Sequence, residues 1–418
     1  MNLNLDKRIA DAAEVASAKL KERADAIDSI VEHNQRKVLS AFIDNRISES
    51  HFNETTGYGY GDRGREGLDD VFAQALGAEA ALVRHNFTCG THTLAVALFG
   101  ILRPHDTMLC VTGLPYDTIH PVIGLNSNGM GSLKDYLINY RQVDLDENGK
   151  PDLQAIKNAL SDDVKMVYIQ RSRGYTMRPS LSVQEIGEIA KVVKANSKAV
   201  IMVDNCYGEF VQTAEPLEYG ADIIAGSLIK NPGGGIAKNG GYIAGKKDLI
   251  ELCAYRLTTP GLGTEVGASL GHTREMMLGF FNAPHVVGEA IKSAVFTSAL
   301  FENLGYEVTP TPSEDRFDII QSVKLGSPEA LIAFCQGMQK GAPVDSFVEP
   351  QPWDMPGYES QVIMSAGAFT MGSSIELSAD APLREPYTVW MQGGLNFHSA
   401  KVGILLAAQE ISARGLLI

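Results

Sequence analysis

Two apolar, β-prone runs, each ending abruptly in polar residues, constrain this chain more than anything else in it. They are Met202-Val203-Asp204-Asn205-Cys206-Tyr207 and Ile223-Ile224-Ala225-Gly226-Ser227-Leu228-Ile229-Lys230, the second followed by Asn231-Pro232-Gly233-Gly234-Gly235. Buried parallel strands look like this when their carboxyl ends deliver side chains into a cleft. A carboxylate, Asp204, and an amine, Lys230, then stand at two such ends. With Ser227 three residues before the amine and glycines behind it, the set suits a ligand needing one charged partner, one covalent anchor and close backbone approach. Taken singly, an aspartate at a strand end is usually a cap or turn residue, and a lysine is usually solvated. Their pairing, each closing an apolar run, carries the reading. Lys238 is the rival lysine, but it follows the glycine run and precedes apolar Gly241-Tyr242-Ile243-Ala244, so it ranks below Lys230.

The surrounding pattern alternates. A helix over Asp152 to Leu160 precedes a strand over Val164 to Ile169. The helix Ser182 to Ala195, with Val183, Ile186, Ile189, Ala190 and Val193 on one face, precedes the strand Ala199 to Val203. Strand and helix in turn predict an α/β fold with a mostly parallel sheet and a ligand at its carboxyl edge. Upstream, the chain switches from strand-like to helix-like at Gly90-Thr91. A small pair opening a helix offers unpaired N–H groups to an anion, so both are phosphate-cradle candidates. His92 in the first helical turn reads more readily as a capping contact. With no Walker sequence and no GxGxxG, nucleotide binding is not favoured. Residues 1 to about 48 read as a helix with Ala24, Ile27, Ile30 and Val31 on one face, a packing or dimer-contact arm. The stretch 57–64, four glycines interleaved with Tyr58, Tyr60 and Arg63, is a loop showing phenol and guanidinium groups. Arginine there is suited to phosphate.

At 418 residues more than one core is expected, divided as an N-terminal helical arm (1–55), a large ligand-binding domain (56–290) and a small C-terminal domain (291–418). A formal charge of −14, with no basic stripe, argues against nucleic acid or an anionic membrane as partner. Five dispersed cysteines with no CxxC pair and no Cys/His ligand spacing suit a reducing compartment and give no metal site. The opening residues carry no apolar leader core and no stretch reaches a membrane span, so a cytoplasmic protein is expected.

The Asp204–Lys230 region resembles the fold-type I enzymes that use pyridoxal 5'-phosphate (PLP). That resemblance implies a mostly parallel sheet with helices on both faces and a smaller α+β C-terminal domain. It also implies that Lys230 carries the cofactor aldehyde covalently, that Asp204 pairs with the protonated pyridine nitrogen, and that Ser227 binds phosphate. The segment before Leu76-Gly77-Ala78-Glu79-Ala80-Ala81 is similar to the Cys/Met-metabolism branch, the cystathionine and methionine lyases. There a tyrosine and an arginine reach the neighbouring subunit's cofactor phosphate. Tyr60 and Arg63 stand in that place, but the spacing departs from the usual Tyr-x-Arg, so Tyr58 for Tyr60 and Arg65 for Arg63 stay open. A homodimer with a shared active site, associating to a homotetramer, is implied. Tyr116, in the loop after the strand Met108 to Gly113, takes the place of the tyrosine that covers the PLP ring.

Gln170-Arg171-Ser172-Arg173-Gly174-Tyr175 departs from the general family and resembles a divergent subgroup of methionine γ-lyase-like, or aluminium-resistance, proteins. Arg171, Arg173 and Arg178 at one strand end read as an anionic-ligand signal. Arg173 and Arg384 are the candidates for substrate binding, Arg384 for the α-carboxylate. The implied activity is a lyase that eliminates a β- or γ-thiol from a sulfur-containing amino acid, with Lys230 removing the α-proton. A transaminase or aldolase-type enzyme is the first rival. A non-catalytic metal-stress protein is the second, and the lack of ligand spacing counts against it.

Overall fold

The computed structural model describes residues 3–125, 130–355 and 360–418. It forms two compact units, His33–Asn282 and Met1–Glu32 together with Ala283–Ile418. The divisions at 32 and 282 fall inside the helices Lys7–Asp44 and Thr273–Asn303, whereas the sequence reading set its boundaries at 55 and 290.

The unit His33–Asn282 is built on seven strands: β1 (Ala80–Arg84), β2 (Thr107–Cys110), β3 (Asn139–Gln142), β4 (Val164–Gln170), β5 (Val200–Asp204), β6 (Ile223–Ser227) and β7 (Gly241–Gly245). Their spatial order is β1-β7-β6-β5-β4-β2-β3. Strands β2 to β6 pair in parallel, while β7 runs antiparallel to both β6 and β1. The expected parallel sheet is present, and the antiparallel β7 is the element the sequence pattern did not show. Alternate residues explain why the strands read as continuous apolar runs. Met108, Met166, Met202, Ile223, Ala225 and Ile243 join one core cluster with Leu94 and Leu98. Their neighbours Leu109, Val167, Ile201, Val203, Ile224 and Ala244 are buried just as fully on the other face. Each buried Leu, Ile, Val or Met side chain among them contributes on the order of 1.5–3 kcal/mol.

Local signals fix the helices between strands. Ser182 and Glu185 form a reciprocal capping box at the start of Val183–Asn196. Asp152 accepts hydrogen bonds from the backbone N–H groups of Gln154 and Ala155. After Lys230 the chain turns through Gly233, where a Cβ would overlap the Leu228 carbonyl, and returns as β7.

The second unit carries an antiparallel sheet of β8 (Glu307–Thr309), β9 (Gln321–Lys324), β10 (Val362–Ser365), β11 (Ser378–Pro382) and β12 (Thr388–Gln392), in the order β10-β11-β12-β9-β8. The helix Pro328–Gln339 packs on β10 and β11 and against the helix Phe397–Ala413. Among the described residues no helix is long and apolar enough to cross a membrane.

Candidate active site

Strand β5 ends at Asp204 and the neighbouring β6 at Ser227, both buried on the sheet face covered by the helix Gly90–Ile101. Asp204 Oδ1 accepts the backbone N–H of Cys206 at 3.1 Å, and Oδ2 accepts the Tyr168 hydroxyl from β4 at 3.4 Å. Burial raises the Asp204 carboxyl above the ordinary carboxylate range, opposed by Lys230, the Cys206 N–H and Tyr168. A buried carboxylate held by one amide and one long phenol contact has acceptor capacity left over.

Lys230 begins the turn after β6, its backbone N–H donating to Ser227 O at 3.3 Å. It is half-buried, and its Nζ lies 4.1 Å from the centre of the Tyr207 ring. Burial pulls the ammonium down, but Cys206, Tyr207, Asp204 and Glu209 together outweigh it and hold the lysine above its usual value.

Ser227 is fully buried and its Oγ has no hydrogen-bond partner. It lies against the first residue of the covering helix: a Cβ on Gly90 would stand 3.5 Å from Ser227 Cβ and 3.7 Å from Cys206 Sγ. Cys89 caps that helix, its Sγ accepting the His92 N–H at 3.3 Å, while His92 Nδ1 accepts the Thr88 N–H at 3.1 Å. His92 is thus engaged in capping. Thr91 Oγ1 meets Thr118 Oγ1 at 2.7 Å, two residues beyond Tyr116. Tyr116 is half-buried, its N–H donating to Gln170 Oε1 at 2.7 Å and its ring 5.6 Å from that of Tyr175. The structure therefore gathers Asp204, Ser227, Lys230 and Gly90, with Thr91 and Tyr116 beside them through Thr118.

Other candidates stand elsewhere. Tyr60 is 62% exposed and stacks on the equally open Tyr58 at 5.4 Å. Arg63 is exposed, with a 3.0 Å hydrogen bond to Ser50 Oγ, whereas Arg65 is buried and donates to the carbonyls of Gly59 and Gly267 at 2.7 Å each. Arg65 ties two loops together, which leaves Arg63 as the arginine displayed by this segment. Of the three arginines after β4, Arg171 is fully buried against Glu215 at 3.4 Å and Asn205 at 2.8 Å. Arg178 donates to the carbonyls of Gln170, Ser172 and Pro179. Reading these three as one anion signal needs correction, because two of them hold the loop. Arg173 is buried, its carbonyl receiving the Thr176 N–H and hydroxyl. Arg384 lies exposed in the turn between β11 and β12, in the other unit.

Two residues of this neighbourhood escaped the sequence reading. Tyr207 adopts φ +71°, a left-handed backbone uncommon outside glycine. Glu209 is fully buried, accepts the Tyr242 hydroxyl on Oε1 at 2.8 Å, and leaves Oε2 without a partner. The only signal for either was its place in the polar tail after β5.

Residues 9–412 match the model of the family described as Methionine gamma-lyase. The chain belongs to the methionine gamma-lyase family. A carbon-sulfur lyase involved in aluminum resistance from Clostridium novyi NT is 52% identical to it, with a TM-score of 0.94 over 98% of this chain and 97% of that one. The uncharacterized protein YnbB of Bacillus subtilis is 48% identical over 393 residues, 94% of this chain and 93% of YnbB. The pyridoxal-5'-phosphate dependent protein YhfS from Escherichia coli, only 16% identical, shares the fold with a TM-score of 0.62 over 93% of this chain and 97% of its own. The architecture is fold-type I of the PLP enzymes, as the resemblance implied.

For this methionine gamma-lyase family member, the residues present suit that cofactor. The unpartnered Ser227 hydroxyl beside the N-terminus of the helix Gly90–Ile101 would suit a phosphate. The buried Asp204 suits a ring N–H⁺, and Lys230 stands at the adjacent strand end.

Proposed function

We propose that the chain is a PLP-dependent carbon–sulfur lyase acting on a sulfur-containing amino acid, by β- or γ-elimination of the cystathionine β-lyase or methionine γ-lyase type. One observation carries the proposal: a lysine, a buried carboxylate and an unpartnered buried serine hydroxyl converge at the ends of two adjacent parallel strands, beside a helix N-terminus. The family match and the C. novyi protein's name supply the bond class.

PLP, when bound, supplies an electron sink conjugated to the substrate's α-carbon. The chain's own residues then divide the work. Gly90 and Thr91 N–H groups with Ser227 Oγ bind phosphate. Asp204 keeps a positive charge opposite its carboxylate, and Tyr116 shields one ring face. Lys230 Nζ takes the proton from the substrate Cα and returns one during release. Arg173 and Arg384 are proposed for the substrate carboxylate. Tyr60 and Arg63 are proposed to reach the cofactor phosphate of a partner subunit, in a homodimer that pairs further into a tetramer in the cytoplasm.

The test is product analysis. The full-length chain loaded with PLP should release ammonia, a 2-keto acid and a thiol from L-cystathionine or L-methionine with no second amino acid present. Borohydride should leave a phosphopyridoxyl group, the cofactor less one oxygen atom, fixed on Lys230 as a secondary amine, and Lys230→Ala should abolish both. Keto acid formed only in the presence of an amino-group acceptor would make the protein a transaminase instead. Among the described residues no group of three or more His, Cys, Asp or Glu side chains is arranged to hold a metal ion.

A further inference from the structure

The geometry points to Tyr207 as the residue that positions the Lys230 amine, presenting the face of its ring to Nζ from a backbone conformation fixed by the buried groups beneath it. The contact is direct: Nζ stands 4.1 Å from the ring centre, within the range where the negative face of an aromatic ring attracts an ammonium. Tyr207 reaches that place through φ +71°, a strained choice for a bulky residue that persists only where the surroundings over-determine it.

The surroundings do so. The Cys206 N–H is tied to Asp204 Oδ1 on one side of Tyr207, and the Gly208 N–H donates to Asn205 O at 2.9 Å on the other. Asn205 is itself locked by its side chain, accepting from Arg171 at 2.8 Å and donating to Glu215 at 3.0 Å and to Tyr242 at 3.3 Å. The Phe210 N–H donates to Glu215 Oε1 at 2.9 Å and closes the turn. Polar contacts at Asn205, Cys206, Gly208 and Phe210 thus hold the six-residue turn 205–210, whose one half-buried aromatic lies under the amine. A ring in that position favours the ammonium over the neutral amine and keeps Nζ directed toward the Asp204 end of the cleft.

The inference builds on the reading of Lys230 as the cofactor's anchor, and its test is separable from that reading. Full-length chain dialysed free of cofactor is pulsed with acetic anhydride across a pH series, and acetylation of Lys230 is measured by mass spectrometry relative to exposed Lys238. The other titratable groups around Lys230, namely Asp204, Cys206 and Glu209, are left unchanged. Tyr207→Phe keeps the ring face and should label like the parent. Tyr207→Leu should label Lys230 about two- to thirtyfold faster at a given pH, because less of the amine is held as ammonium. Should the leucine variant fail to fold, pentafluorophenylalanine installed at position 207 keeps the shape, reverses the charge of the ring face, and should give the same acceleration. Parent-like labelling in the folded leucine or fluorinated variant overturns the proposal. So does a phenylalanine variant as fast as leucine, since the hydroxyl would then be the active part. Failure of borohydride to mark Lys230 bears only on the cofactor assignment.

Discussion

Tyr242 donates its hydroxyl to Oε1 of Glu209 at 2.8 Å, and the pair fills the space that a Cβ on Gly226 would occupy. Burial pushes the Glu209 carboxyl up to about 8 from an ordinary 4.5, with Tyr242 opposing and Glu215 reinforcing the shift. A carboxyl raised in the folded chain is carried without penalty below about 4.5, where both states hold the proton. Stability then falls as pH rises, and the loss levels off above about 8. Glu209→Gln cannot titrate, so its stability relative to the parent should grow by about 1.4 kcal/mol per pH unit across that window. Urea denaturation at pH 5, 7 and 9 measures this. A constant difference across the series would mean that Glu209 is ionised throughout.

The ends of β5 and β6 were legible because a fully buried parallel strand has no polar residue until it leaves the core. Asp204, Ser227 and Lys230 announce themselves as the first polar groups after Val203, Gly226 and Ile229. The direction of β7 was not legible, because an apolar triplet such as Tyr242–Ala244 is the same in either orientation and only pairing with Ser227 and Arg84 decides it. Arg171 misled for a related reason. Its partner Glu215 lies far along the chain, so an arginine that completes a buried ion pair looks in sequence like one awaiting an anion. Tyr207 was hidden because left-handed backbone at a non-glycine residue is imposed by tertiary contacts and has no local pattern.

Ser227→Ala separates a binding role from a structural one. In the chain without cofactor the hydroxyl is buried and has no partner, so removing it should leave the melting temperature unchanged or raise stability by up to about 1 kcal/mol. Affinity for PLP should fall about tenfold, the worth of one charge-assisted hydrogen bond. Differential scanning calorimetry without cofactor and an absorbance titration with it give the two numbers. A destabilised variant with undiminished affinity would reduce Ser227 to a packing residue.

Arg171→Met should cost about 3–5 kcal/mol, because it leaves Glu215 as a lone charge in a site with no exposure. Adding Glu215→Gln should recover part of that loss by removing the stranded charge. Because Arg171 also holds Asn205, next to Asp204, the single variant should bind PLP more weakly even at temperatures where it stays folded. Urea midpoints for the two variants, read with a cofactor titration, settle whether the pair serves stability alone.

Arg63 and Arg65 stand two residues apart with opposite expected behaviour. Arg65→Lys should destabilise the chain by about 1–3 kcal/mol, since one ammonium cannot replace the fork that bridges the Gly59 and Gly267 carbonyls. Arg63→Ala removes only a surface contact to Ser50 and should leave stability within about 0.5 kcal/mol of the parent. If Arg63 serves the partner subunit's site, Arg63→Ala and Lys230→Ala should each be nearly inactive, yet recover activity when mixed and allowed to exchange subunits. The mixed dimer then carries both defects in one site and leaves the other intact. Random exchange makes half of the dimers mixed, so the recovered rate should approach a quarter of the parent's. No recovery after proven exchange would place Arg63 in the site of its own chain or in none.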